Sequence, residues 1–524
     1  MSGSSQSLDI SPGPPHAGFF RGYTIHKNAR NQYRRDSKGS STFSPAHFKF
    51  TSLPAESYPL LDRIIEIYLA ELGQEKIQEP LSYCVKELIA NAQKANAKRI
   101  YFEERGLEIS RQEDYDNGMR GFLREIAENL DHFLQQLKQK NLSINVMFHM
   151  RGEALTISVR NSAELTPKER ARIYERIVRA RAFHSFFEAL ETSLDSTEGA
   201  GLGIMILLQF LKRIGLGEES FSIEGKNGST VSSIVIPISQ VHLEQIRILS
   251  EAIVRDINSL PHFPENVVEL IHLTDDPEVK ITTIAKRIAT DPALTADLLK
   301  QVNSGYYALP AQVNSIPQAV KLIGIRGLRN LLYAYSSQKI LGQKQAMMKS
   351  LWEHSFRTAY YAFLLARGLK RQREILDDAY VAGLLHDIGQ IIVSSLHPET
   401  HEKMRRFSVE KNILPRILER FSFGMNHADI GSLIAQKWNF PEQLVEGIKY
   451  HHDPLSASHK YKDIVFCVYL ANAVCDLERG LISYEQLEKP VLGDFGIRTK
   501  EQLLGVASKL RSAFEKRHSE LSGL

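Results

Sequence analysis

The chain has 524 residues, 43% of them hydrophobic, with 65 Lys and Arg against 61 Asp and Glu and a formal net charge of +4. That length exceeds what one hydrophobic core organises, and the near-balanced charge gives no whole-chain signal for nucleic acid or a membrane surface. Three cysteines, Cys84, Cys467 and Cys475, exclude a disulfide framework; the N-terminus lacks a signal-peptide pattern, and no uninterrupted apolar run approaches a membrane span, so a cytoplasmic protein is expected.

Residues 1–52 read as a loosely ordered tail, rich in Ser, Gly and Pro around a basic, aromatic-containing segment from Arg21 to Lys49. Residues 53–240 read as an α+β sandwich. A helical stretch, EPLSYCVKELIANAQKANA, leads into the strand-like KRIYFEE, and SINVMFHM, ALTISVR, SFSIEGK and STVSSIVIPIS are alternating or β-branched segments bounded by turn formers. This predicts a mixed sheet covered by helices. An insertion near 113–140 carries apolar residues at helical spacing, which points to a helix packed on the sheet, with a dimerisation or docking helix as the other reading. A connecting helix is predicted over 241–256, with its apolar stripe running on to a turn at Pro261 and Pro264. An all-α domain follows over 257–480, then a helical extension over 481–524.

The chemistry concentrates in the helical half. The tetrad His386, Asp387, Ile388 and Gly389 interrupts the apolar run YVAGLLHDIGQIIVSSL, and eight of the 18 histidines fall between His354 and His459. A neutral imidazole beside a carboxylate is a donor pair for a borderline divalent metal. A single histidine more often has a core or surface role, and His397, His401 and His459 are assigned that role. His354, His386, Asp387, His427, His451 and His452 each precede or sit within a helical segment and form one candidate set.

The order and spacing of these residues, with LPHFPENVVELIHL, DPALTADLLKQVNS and IPQAVKLIGI ahead of them, resemble the HDOD branch of the HD superfamily of metal-dependent phosphohydrolases. The resemblance implies that His354, His386 and Asp387 ligate a first metal, Asp387 being able to bridge, and that His427, His451 and His452 are candidates for a second; iron, manganese or magnesium is the implied cofactor. Two cations so held would polarise a phosphate ester and acidify a water, with Asp387 as the catalytic carboxylate. The superfamily pattern then calls for an aspartate where Asn472 stands, and an amide oxygen is a weaker, neutral ligand. Asp476 follows one helical turn later. The GYP-containing loop of cyclic-di-GMP phosphodiesterases is absent from HHDPLSASHKYKD.

In the first half, KELIANAQKANAKRIYF resembles the asparagine box of the GHKL ATPases, with Glu87 and Asn91 on one helix face and Lys94 and Asn96 in reach of phosphates. EGAGLGIMILLQFLKRIG resembles that family's glycine box, in which Gly199, Gly201 and Gly203 would let backbone amides approach phosphate at a helix N-terminus. The resemblance implies ATP with magnesium. Asn161 and Ala163 replace the aspartate and first glycine expected at the adenine-binding position, and no dimerisation helix with a phosphoacceptor histidine is found, so conventional histidine kinase activity is not expected.

Together these resemblances imply a bacterial-type cytoplasmic signalling protein, a GHKL-like nucleotide-binding module coupled to a metal-binding HDOD output module. Its partners would be signalling proteins or a second copy of the chain, with no membrane and no indicated nucleic acid. A metal-dependent phosphohydrolase regulated by its first half, and a scaffold with neither ligand, are the alternatives left open.

Overall fold

The computed structural model describes residues 24–25, 45–51, 58–182, 202–237, 239, 241, 244–276, 278–303, 313–341, 346–369, 373–411 and 413–522. It separates into two compact units, Met1–Ile248 and Leu249–Leu524.

The first unit contains β1 (Thr24–Ile25), β2 (Ala46–Phe50), α1 (Tyr58–Glu71), α2 (Gln78–Glu104), α3 (Gln112–Glu128), α4 (Leu130–Gln139), β3 (Ile144–Arg151), β4 (Ala154–Asn161), α5 (Pro167–Ala182), α6 (Leu202–Arg213), β5 (Phe221–Lys226) and β6 (Ser229–Pro237). The sheet order is β1-β2-β3-β4-β6-β5, and every neighbouring pair is antiparallel. The expected mixed sheet is therefore corrected to an antiparallel one. Alternation sets its two faces: Ile144, Val146, Phe148 and Met150 in β3, and Leu155, Ile157 and Val159 in β4, are buried on one side. Residues 46–50, assigned to the tail by composition, pair along β3 from Ala46 opposite Phe148 to Phe50 opposite Ile144.

KRIYFEE is not a strand. It continues α2, because the Ala- and Lys-rich segment before it contains no breaker and Ile100, Tyr101 and Phe102 bury against α3 and α4. Gly106, at φ 63°, ends the helix, with its own N–H bonded to Glu103 O and Leu107 N–H bonded to Phe102 O. The insertion is likewise two helices. Tyr115, Phe122, Phe133 and Leu137 close a small aromatic core against the end of α2, so α2 is what the insertion packs on.

The second unit is helical. A helix joins the two units in sequence, α7 (Glu244–Ser259), beginning and ending three residues later than its predicted span. Then come α8 (Glu265–Asp275), α9 (Ile281–Ala289), α10 (Pro292–Val302), α11 (Ile316–Leu341), α12 (Ala346–Gly368), α13 (Arg373–Leu385), α14 (Ile388–Leu396), α15 (Pro398–Lys411), α16 (Pro415–Phe423), α17 (His427–Lys437), α18 (Glu442–Lys449), α19 (Lys462–Glu478), α20 (Lys489–Asp494) and α21 (Lys500–Ser522). α12, α13 and α19 pack together, and α14 lies against α17. Among the described residues one stretch, Ile375–Leu396, is long and apolar enough to cross a membrane; 83% of its window is buried, which makes it the core of this unit. It contains the His386–Asp387 pair.

Candidate metal centre

His386 and Asp387 form the turn between α13 and α14, so their side chains emerge where two helix ends meet. The glycine two residues later explains how close those ends come. A Cβ on Gly389 would lie 2.0 Å from His427 O and 2.8 Å from Gly431 N, so α14 and α17 touch backbone to backbone. His427 opens α17 directly after its N-cap, Asn426. The Asn426 side chain accepts from Asp429 N–H, and Asp429 accepts from Asn426 N–H, which fixes where the helix starts. His354 comes from α12, and His451 and His452 follow α18.

The six candidates converge, with Asp387 at the centre. Its Oδ2 lies 3.5 Å from His354 Nε2 and 3.4 Å from His386 Nε2; its Oδ1 lies 3.4 Å from His427 Nε2 and 3.8 Å from His451 Nε2. His427 Nε2 is in turn 3.3 Å from His451 Nε2 and 2.9 Å from His452 Nε2. Two half-sites result, His354–His386–Asp387 and His427–His451–His452, with the carboxylate shared between them.

The donor chemistry fits a divalent cation. His386 Nδ1 bonds Gly383 O at 2.7 Å and His451 Nδ1 bonds Ile448 O at 2.6 Å, so each ring turns a bare Nε2 inward. His386 Nε2 and Asn472 Oδ1 are buried with no hydrogen-bond partner among the described residues. Orphaned buried lone pairs are costly unless a cation or water meets them. Tetrahedral bonds of about 2.1 Å place nitrogens about 3.4 Å apart, close to the 3.3 Å between His427 Nε2 and His451 Nε2.

Electrostatics divide the two half-sites. Burial drives His354 down to about 3 against the pull of Asp387, and it lowers His386, His451 and His452 as well. His427 goes the other way. Burial opposes its charge, but Glu419 and Asp387 lift it to about 9. Asp387 is held well below the usual carboxylate range; burial opposes this, and the surrounding histidines, His386 first, outweigh it.

Residues 260–454 match the sequence profile of the HDOD domain. Over 464 residues, 88% of this chain and 90% of the other, the sequence is 35% identical to an uncharacterized protein of Treponema pallidum strain Nichols. Residues 260–454 are an HDOD domain. Solved structures similar to it include an HDOD domain protein of unknown function from Geobacter sulfurreducens, at 25% identity over 53% of this chain and 97% of that one, TM-score 0.42. Others are a candidate phosphohydrolase of Shewanella amazonensis SB2B, at 24% identity over 50% and 94%, TM-score 0.40, and a fragment of the response regulator MmoQ of Methylococcus capsulatus, at 20% identity over 47% and 94%, TM-score 0.26.

One group beside the site was passed over by motif reading. Glu419 on α16 is 2% exposed and accepts from His427 N–H at 2.8 Å and from its Nδ1 at 2.6 Å, setting the ring's orientation from behind. His401, assigned a core or surface role, is buried and feels the Glu419 charge. Asn472 stands beside His354 and His386, at the position the resemblance gave it. Asp476 is half-buried one turn on, raised to about 6 by burial and then by Asp387.

In the first unit the outcome is uneven. Glu87 and Asn91 are half-buried and Lys94 exposed along one face of α2, and a Cβ on Gly203 would lie 2.6 Å from Glu87 Oε2, so those two segments do meet. Asn161 is buried; its Nδ2 donates to Asn96 Oδ1 and Ala163 O, both at 3.2 Å, and this takes Asn96 away from the phosphate role expected of it. Gly199 and Gly201 lie outside the described residues.

Proposed function

We propose that this protein is a signalling protein whose HDOD domain binds a divalent metal ion as a regulatory ligand, with weak or no phosphoester turnover. The observation that carries the reading is the Asp387 carboxylate, shared by two sets of inward-facing imidazole nitrogens. His427, His451, His452 and Asp387 Oδ1 would hold the stronger site, since Glu419 lies behind His427 and adds negative charge. His354, His386, Asp387 Oδ2 and the neutral Asn472 would hold the weaker one. Iron or manganese suits this mixed imidazole and carboxylate set better than magnesium, which prefers oxygen.

The test is elemental analysis of the untagged protein beside a His386→Ala, Asp387→Ala variant. One bound equivalent that the variant loses supports the reading; no metal in either protein after incubation with iron or manganese sinks it.

A metal-dependent phosphohydrolase is the second reading. When bound, divalent cations there polarise a phosphoryl oxygen and lower the pKa of a water. The observation favouring it is Asp476, a half-buried acid one helical turn from Asn472, which burial first and Asp387 second raise to about 6, within the range useful for proton transfer. Hydrolysis of p-nitrophenyl phosphate esters with manganese present, abolished by Asp387→Asn, would establish it.

For the first unit, the meeting of Glu87 with Gly203 favours the GHKL-like reading with ATP and magnesium as ligands. Equal thermal stability with and without ATP and magnesium would remove it.

A further inference from the structure

We infer that α7 is mechanically tied to the metal centre and that metal occupancy is read out at its C-terminal end. The inference rests on the metal-binding reading of His427, His451, His452 and Asp387.

Two helices carry ligands at their first turn. Asp387 is the N-cap of α14, and His427 is the first residue of α17. Both helices end at α7. His397, the C-cap of α14, pairs through Nε2 with Asp256 Oδ2 at 3.0 Å. Lys437, the last residue of α17, donates from Nζ to Ile257 O and Asn258 O at 2.8 Å and to Leu260 O at 2.6 Å. Trp438 Nε1 donates to Pro261 O at 3.1 Å, and its ring lies 5.0 Å from that of Phe263.

These contacts fall where a helix is least able to satisfy itself. A helix cannot bond its last carbonyls with its own i+4 amides, and the Lys437 ammonium caps those of Ile257 and Asn258 where the helix dipole is negative. The ten residues from each ligand to its tether span about 15 Å of helix. Over that distance the pair acts as one lever, because Gly389 brings the α14 and α17 backbones into direct contact.

His427 Nε2 lies close to His451 Nε2, His452 Nε2 and Asp387 Oδ1, so the ligand candidates on the two helix starts face one another beside the Gly389 backbone contact. A cation bonded to Asp387 and to His427 clamps those starts. The tethers at the far ends then hold a fixed spacing, and the end of α7 is held with them. Linkage makes the effect reciprocal: a firmly anchored α7 favours metal, and a released α7 disfavours it.

The test is hydrogen–deuterium exchange of the full-length protein with and without Mn2+, read at amides 250–260, together with Mn2+ affinity by calorimetry. Manganese should slow exchange there by about fivefold or more, and Lys437→Met should abolish that response and weaken Mn2+ binding by a similar factor. Neither Lys437 nor Asp256 is a ligand candidate. Asp256→Asn, which leaves Lys437 in place, gives a smaller shift in the same direction and serves if Lys437→Met fails to fold. Manganese bound with unchanged exchange at 250–260, or with unchanged affinity in both variants, overturns the inference and leaves the metal site standing. Absence of manganese binding in the unmodified protein overturns the metal reading and the inference with it.

Discussion

Gly389→Ala isolates the contact on which the geometry of the site depends. The new Cβ would sit 2.0 Å from His427 O, 2.9 Å from His427 C and 2.8 Å from Gly431 N, all of them backbone atoms that no rotamer change can move aside. Contacts under 3.0 Å are essentially never made by real Cβ atoms, so α14 and α17 must part by at least 1.0 Å, the difference between 3.0 and 2.0. Overpacking of this kind costs about 1–3 kcal/mol. In a unit of this size that corresponds to a fall in Tm of about 2–12 °C. The metal site should suffer more than the fold, because ligand distances tolerate only about 0.2 Å and the two helix starts carry Asp387 and His427. Differential scanning calorimetry and manganese titration report the two effects separately. Gly505→Ala in α21 is the control: a Cβ there meets nothing within 4 Å, and the change should be neutral or stabilising by up to about 1 kcal/mol. If Gly389→Ala left both Tm and manganese affinity unchanged, the backbone contact would not be what sets the site.

Asn472→Asp supplies the carboxylate missing beside His354 and His386, and metal analysis should then find a second tightly held equivalent where the unmodified protein holds one. Glu419→Gln leaves the His427 ring with a neutral partner, and manganese affinity should fall about 10–100-fold with little change in the circular dichroism spectrum. Glu169 is paired with Lys98 and Arg99 at 2.9 and 2.7 Å; burial alone would raise it, but these partners, Arg99 first, bring it to about 2 from the ordinary 4.5. Its contribution, on the order of 3 kcal/mol, is complete above about pH 4.5 and is lost as the pH falls toward 2, so Glu169→Gln should destabilise the protein to urea at pH 7 and hardly at all near pH 2. A deficit independent of pH would refute that assignment.

The strands SINVMFHM and ALTISVR were legible because strict alternation survives in β3 and β4, where one face is buried and the other is not. KRIYFEE misled for a physical reason. Three large apolar residues in a row look like a strand when neighbours are ignored, yet here they close the core that α3 and α4 build on α2, a partner that only the folded chain supplies. The AHFKF strand was hidden in the same way. Its composition resembles that of the tail around it, and pairing with β3 rather than local preference makes it a strand.

The metal centre divides along a similar line. Its ligand candidates were legible because imidazoles and a carboxylate have few reasons to gather in an apolar helical core, and all six do converge. The groups that position them were not. Glu419 lies in ILERFSF, where it reads as a surface charge on an amphipathic helix; only the fold buries it to 2% and turns it toward His427. Lys437 reads as an ordinary basic residue at a helix end, yet it caps two carbonyls of another helix and the one just beyond that helix's end. A motif records the atoms that face the ion. The energy that holds those atoms in place comes from residues at unrelated sequence distances, eight residues before His427 for Glu419 and about 180 for the Lys437 contacts to α7. The charge balance follows from the same groups. Asp387, Glu419 and Asp476 are the acids of this centre, Asn472 adds no charge, and a pair of divalent cations would bring four positive charges, more than those three acids cover. One strongly held ion in the half-site backed by Glu419 is what that inequality favours.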